Sequence, residues 1–123
     1  MKHGLLFCAL LLLAPASVLA QKPGDWVLGK WRDGEFWFPG VVQSRDGGTI
    51  TIAYDDGTHE TVSLSKVRPY DWTLGSRVEC RWSGGKAWYA GAITGISKDG
   101  TKIDVTYDDG DRERIATGGC RSR

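Results

Sequence analysis

The sequence spells Tyr54-Asp55-Asp56-Gly57 and again Tyr107-Asp108-Asp109-Gly110 within 123 residues. Adjacent carboxylates are oxygen donors for a hard cation, yet these pairs lack the regular ligand spacing of a calcium loop. Beyond residue 20 there is one histidine, His59, and two cysteines set far from it, which is not zinc spacing. A metal is therefore not expected. Neither a glycine-rich phosphate loop nor a serine-nucleophile motif occurs. His59 reads as an exposed strand residue rather than a general base, and Glu60 and Glu113 as ion-pair or rim residues rather than catalytic acids. The chain is expected to be a non-enzyme without a cofactor. The chemistry that Asp-Gly offers most directly is conformational: Asp56-Gly57 and Asp109-Gly110 are expected to supply the positive φ angles of tight hairpins.

The elements that position these residues begin after a leader. Residues 1–20 have a basic start at Lys2, an apolar run from Leu5 to Leu13, and small residues at Val18 and Ala20. That is the pattern of a secretory signal peptide, with cleavage expected after Ala20. The apolar run is shorter than the roughly 18 to 20 residues that span a bilayer, so no membrane span is expected in the mature form. A secreted or periplasmic location follows. Lys2 is the only basic residue removed with the leader, which leaves fifteen Lys and Arg against fifteen Asp and Glu. Such a neutral, evenly mixed chain lacks the basic excess of proteins that hold phosphate backbones, and nucleic acid is not an expected partner.

With the two Tyr-Asp-Asp-Gly segments in register, Trp31 falls on Trp82, Trp37 on Trp88, Phe38 on Tyr89 and Gly40 on Gly91. Glu60 falls on Glu113 and Val62 on Ile115, the offset having grown from 51 to 53 through extra residues in a turn between Ile93 and Ile103. The mature chain is thus two homologous units of about fifty residues, expected over 24–69 and 73–123. Alternation predicts strands rather than helices. Val27, Gly29 and Trp31 should face inward with Leu28 and Lys30 outward, as should Val78, Cys80 and Trp82 against Glu79 and Arg81. Ile50, Ile52 and Tyr54 share one face, matched by Ile103, Val105 and Tyr107. Trp37 and Trp88 point opposite to Phe38 and Tyr89, so one member of each pair should be core and the other exposed. The expected fold is all-β: two tandem five-stranded SH3-like barrels, since closing a short sheet buries a core and hides its edges. Cys80 and Cys120 take the places of Gly29 and Val67 on the first and last strands, which neighbour each other in such barrels. Export permits a disulfide between them; buried thiols are the alternative.

The ordered set KWRDGEFWFPGVV with ITIAYDDGTHETV, and RWSGGKAWYAGAI with IDVTYDDGDRERI, resembles the Tudor domain of the Royal family, as a tandem pair. In Tudor domains that read methylated side chains, the family pattern implies an aromatic cage at Trp31, Phe38, Tyr54 and Asp56, and at Trp82, Tyr89, Tyr107 and Asp109. Ring faces attract a methylated ammonium and the carboxylate meets a remaining N–H. Both units depart from the fullest pattern at Thr58 and Asp111, where a further cage aromatic often sits. Core packing of the same aromatics, and turn formation by the aspartates, is the competing account. The resemblance implies a binding module for a protein or peptide ligand with a methylated or cationic side chain. The alternative is a secreted SH3-like structural or envelope- and matrix-binding module without a cage.

Overall fold

The computed structural model describes residues 21–123; the expected signal peptide at 1–20 lies outside the described residues. The first unit contains β1 (Trp26–Lys30), β2 (Trp37–Asp46), β3 (Thr49–Tyr54), β4 (His59–Ser63) and β5 (Val67–Pro69). The second contains β6 (Arg77–Arg81), β7 (Trp88–Ile96), β8 (Lys102–Tyr107), β9 (Arg112–Ala116) and β10 (Cys120–Arg121). Each forms one antiparallel five-stranded sheet, in the orders β4-β3-β2-β1-β5 and β10-β6-β7-β8-β9. β2 and β7 carry equivalent register shifts, between Val42 and Ser44 and between Ile93 and Gly95. Such a bulge bends a strand and lets a short sheet curl over its own core.

The β3 and β8 phase is as the alternation predicts. Ile50, Ile52 and Tyr54 are buried in one cluster with Val27, Val42 and Val67, and Ile103, Val105 and Tyr107 in the other with Val78 and Ile93. Opposite each tyrosine stands a glycine, Gly40 or Gly91. A Cβ at either would come within 3.0 Å of the tyrosine Cα and closer still to the preceding carbonyl oxygen. The strands pass there at a distance that only glycine permits.

Three expectations are corrected. Leu28 does not face water but is fully buried, in the cluster of the second unit with Trp72, Val78 and the two cysteines. At Leu28 the outer face of β1 is covered by Trp72 of the linker and by the neighbouring barrel. Trp31 and Trp82 lie just past their strands, each opening a tight turn that the Gly34 or Gly85 N–H closes on the tryptophan carbonyl at 2.9 Å. In the hairpins, Gly57 and Gly110 alone take positive φ, at 95° and 93°, while Asp56 and Asp109 do not. The Gly57 and Gly110 N–H groups each donate to the preceding tyrosine carbonyl, at 3.0 and 2.9 Å. One left-handed residue after the turn suffices.

The barrels meet along a continuous seam. Trp37 and Ser122 exchange backbone hydrogen bonds at 2.7 and 2.9 Å, and Trp72 donates its indole N–H to Ser122 Oγ at 3.1 Å. Cys80 and Cys120, directly opposite on β6 and β10, are joined in a disulfide with Cα atoms 4.1 Å apart. The longer β7–β8 turn places Gly100 against the Trp26 ring of the first barrel.

Candidate functional site

Each pocket is built on a strut that the amino-acid pattern did not announce. Tyr54 Oη donates to Glu60 Oε1 at 2.8 Å, and Glu60 Oε2 accepts the Arg32 backbone N–H at 2.9 Å. In the second unit Tyr107 Oη donates to Glu113 Oε2, and Glu113 Oε1 accepts the Ser83 N–H at 3.1 Å. Arg32 and Ser83 follow the pocket tryptophans and hold φ of 50° and 53°. A non-glycine residue in that region costs about 1–2 kcal/mol, and the charge-assisted bond to glutamate offsets it. Glu60 and Glu113 thus fix Trp31 and Trp82 in place. Burial, then the glutamate hydrogen bond, pushes both tyrosine hydroxyls well above the ordinary phenol range.

Above the strut in the second barrel, Trp82, Tyr89, Tyr107 and Asp109 line a hollow of about 350 Å³ together with Asp108 and Asp111. Tyr107 meets Trp82 edge to face at 5.7 Å between centroids and Tyr89 at 6.4 Å. Trp82 and Tyr89 are 41% and 51% exposed, so two of the three rings present surface to an incoming group. Asp109 Oδ1 accepts the Asp111 N–H at 2.9 Å, closing the turn. Arg77 pairs with Asp108 at 2.7 Å, and holds that carboxyl below its usual range. Asp111, at the position where the family pattern often has a further aromatic, adds a third carboxylate to the lining.

The equivalent residues of the first barrel, Trp31, Phe38, Tyr54 and Asp56, also come together, around about 290 Å³. Trp31 meets Tyr54 at 5.4 Å and Phe38 meets it at 6.5 Å. This pocket is walled on one side by the second barrel, which contributes Arg81, Trp88 and Arg121. Phe38 packs edge to face on Trp88 at 6.1 Å. Asp56 Oδ1 is occupied by the Thr58 N–H and hydroxyl, at 3.0 and 2.7 Å.

Trp37 and Trp88 are neither core nor exposed, correcting that expectation. Each indole is half-buried beneath two cations from the flanking strands: Lys30 and Arg68 over Trp37 at 5.8 and 4.4 Å, Arg81 and Arg121 over Trp88 at 4.6 and 4.1 Å. These are the same alignment positions in both units. The cations cover apolar area of the indoles, and Arg68 and Arg121 are themselves partly buried in doing so. His59 is exposed on β4. Among the described residues no three His, Cys, Asp or Glu side chains are grouped to hold a metal ion.

Residues 30–71 match the model of the Agenet domain, a Tudor-like domain of the Royal family. The chain is similar to the AGD34 crystal structure of Arabidopsis thaliana AGDP1, with 16% identity, 86% of this chain and 84% of that chain covered, and a TM-score of 0.40. It is similar to the tandem Agenet domain 3-4 of ADCP1 at 15% identity, covering 86% and 82%, with a TM-score of 0.38. No curated protein matches the sequence.

Proposed function

We propose that the chain is a non-catalytic binding module whose second barrel seats a methylated or otherwise cationic side chain of a protein or peptide. The observation carrying this reading is the junction of two exposed rings, Trp82 and Tyr89, with Tyr107 and the carboxylates of Asp108, Asp109 and Asp111 around one hollow. Each well-placed ring face contributes roughly 0.5–2 kcal/mol toward a quaternary ammonium, and the carboxylates add long-range attraction in a partly desolvated site. A neutral side chain of the same shape receives neither. Residues 1–20 further lead us to propose export, so that the partner is met in a periplasm or outside the cell.

The test is a titration of trimethyllysine, dimethyllysine and dimethylarginine peptides against unmodified ones, followed by tryptophan fluorescence. Saturable binding should weaken at least tenfold in Trp82→Ala, equivalent to about 1.4 kcal/mol. Absence of a saturable response at millimolar ligand defeats the reading and leaves a structural or matrix-binding module in its place.

A further inference from the structure

The two aromatic pockets come from one ancestral pattern yet differ in charge. The second is lined by three carboxylates and no cation. The first is lined by two guanidiniums, Arg81 and Arg121, and one carboxylate, Asp56. Arg121 is tied through Nε and Nη2 to Glu79 Oε1 at 3.0 and 2.9 Å. Arg81 has no carboxylate or hydrogen-bond partner among the described residues; its guanidinium rests on the Trp88 ring alone. Asp56 spends one oxygen on its own turn.

We propose that the first pocket rejects quaternary ammonium and receives a single carboxylate carried on an apolar stem, such as an acidic side chain or a free peptide C-terminus. Arg81 is the specificity-determining residue. A cation placed among Trp31, Phe38 and Tyr54 would meet the Arg81 guanidinium, which no carboxylate among the described residues neutralises, and that repulsion opposes the attraction of the ring faces. A carboxylate meets the opposite situation, because a planar guanidinium already oriented by stacking offers paired N–H donors at little further entropic cost. One negative charge matches the one uncompensated cation. Asp56 lies in the same lining and repels any anion, so a second negative charge on the ligand is disfavoured. The origin of the asymmetry is geometric: Arg81 and Arg121 reach the first pocket because the second barrel forms its wall, whereas the second pocket is lined by its own barrel alone.

Two-dimensional NMR of the indole N–H signals tests this, with Trp31 and Trp82 assigned through Trp31→Phe and Trp82→Phe. Phenylacetate, its uncharged isostere phenylacetamide, and tetramethylammonium serve as probes. Phenylacetate should shift Trp31 saturably at tens of millimolar and phenylacetamide at least fivefold more weakly. Tetramethylammonium should leave Trp31 unmoved, whatever it does at Trp82. Arg81→Gln should abolish the phenylacetate response, and Arg81→Lys should keep part of it. Arg81 is exposed, so neither variant disturbs a core. The inference is overturned by equal responses to the acid and the amide, by a phenylacetate response unchanged in Arg81→Gln, by no response to phenylacetate at all, or by tetramethylammonium titrating Trp31. The Trp82 signal reports the second-barrel reading separately, so failure of one does not mask failure of the other.

Discussion

Replacing both Cys80 and Cys120 by alanine should lower the melting temperature by about 15 °C. The bridged residues are 40 apart in sequence, and closing a loop of that length in the unfolded chain costs entropy worth about 4 kcal/mol on the chain-entropy account. For a protein of this size each kcal/mol moves the midpoint by about 4 °C. Both cysteines are fully buried, so loss of packing adds to the effect rather than opposing it. The bond's position directs where the loss is felt. β10 is only Cys120 and Arg121, and beyond it Ser122 holds Trp37 through the backbone and Trp72 through its hydroxyl. Freed of the bond, the C-terminal strand should leave the seam before either barrel opens. Calorimetry of the parent and double variant measures the shift, and hydrogen exchange locates it: the Trp37 and Ser122 amides and the Trp72 indole should lose protection first. A midpoint change under about 3 °C, or uniform loss of protection across both barrels, would refute the reasoning.

Glu113→Ala should cost about 1.5–3 kcal/mol, because it strips the charged acceptor from the Tyr107 hydroxyl and the Ser83 N–H. Chemical denaturation measures that loss, and Trp82 should become more mobile in the same variant. Tyr70 is pushed up to about 12, first by burial and then by Asp55 and Asp71, and Tyr54 and Tyr107 are raised further still. Their stabilisation is fully present below the unfolded-state value of 10.0 and is lost as pH rises through the folded values. Stability followed by denaturant midpoint should therefore begin to fall above pH 10, with three tyrosines ionising late in the ultraviolet titration of the folded protein.

What the chain made legible was local or paired by the repeat. Period-two burial of Ile50, Ile52 and Tyr54 follows from the pleat, and the opposition of Cys80 and Cys120 follows from aligning two copies of one unit. The eight aromatic and acidic residues implied by the Tudor resemblance do gather into two pockets. Features that depend on how one barrel meets the other were hidden. Leu28 looks like an outward residue until the second barrel covers it, and Arg81 looks like an ordinary surface arginine until its neighbour's pocket comes beneath it. The φ values at Arg32 and Ser83 were equally silent, since neither is a glycine and the glutamate that holds each lies about thirty residues further on.

The tyrosine–glutamate strut floors each hollow and holds the lip through backbone alone, the Tyr54 N–H donating to the Thr58 carbonyl at 2.8 Å and the Tyr107 N–H to the Asp111 carbonyl at 2.7 Å, so the lip side chains take no part in it. Thr58 and Asp111 occupy matching places on that lip with different chemistry, while the keel beneath them is unchanged. Such a separation turns the fold into a socket with an interchangeable collar. Selection, or an engineer, can re-key what the collar grips by exchanging a few surface side chains, and the framework has no reason to refold in response.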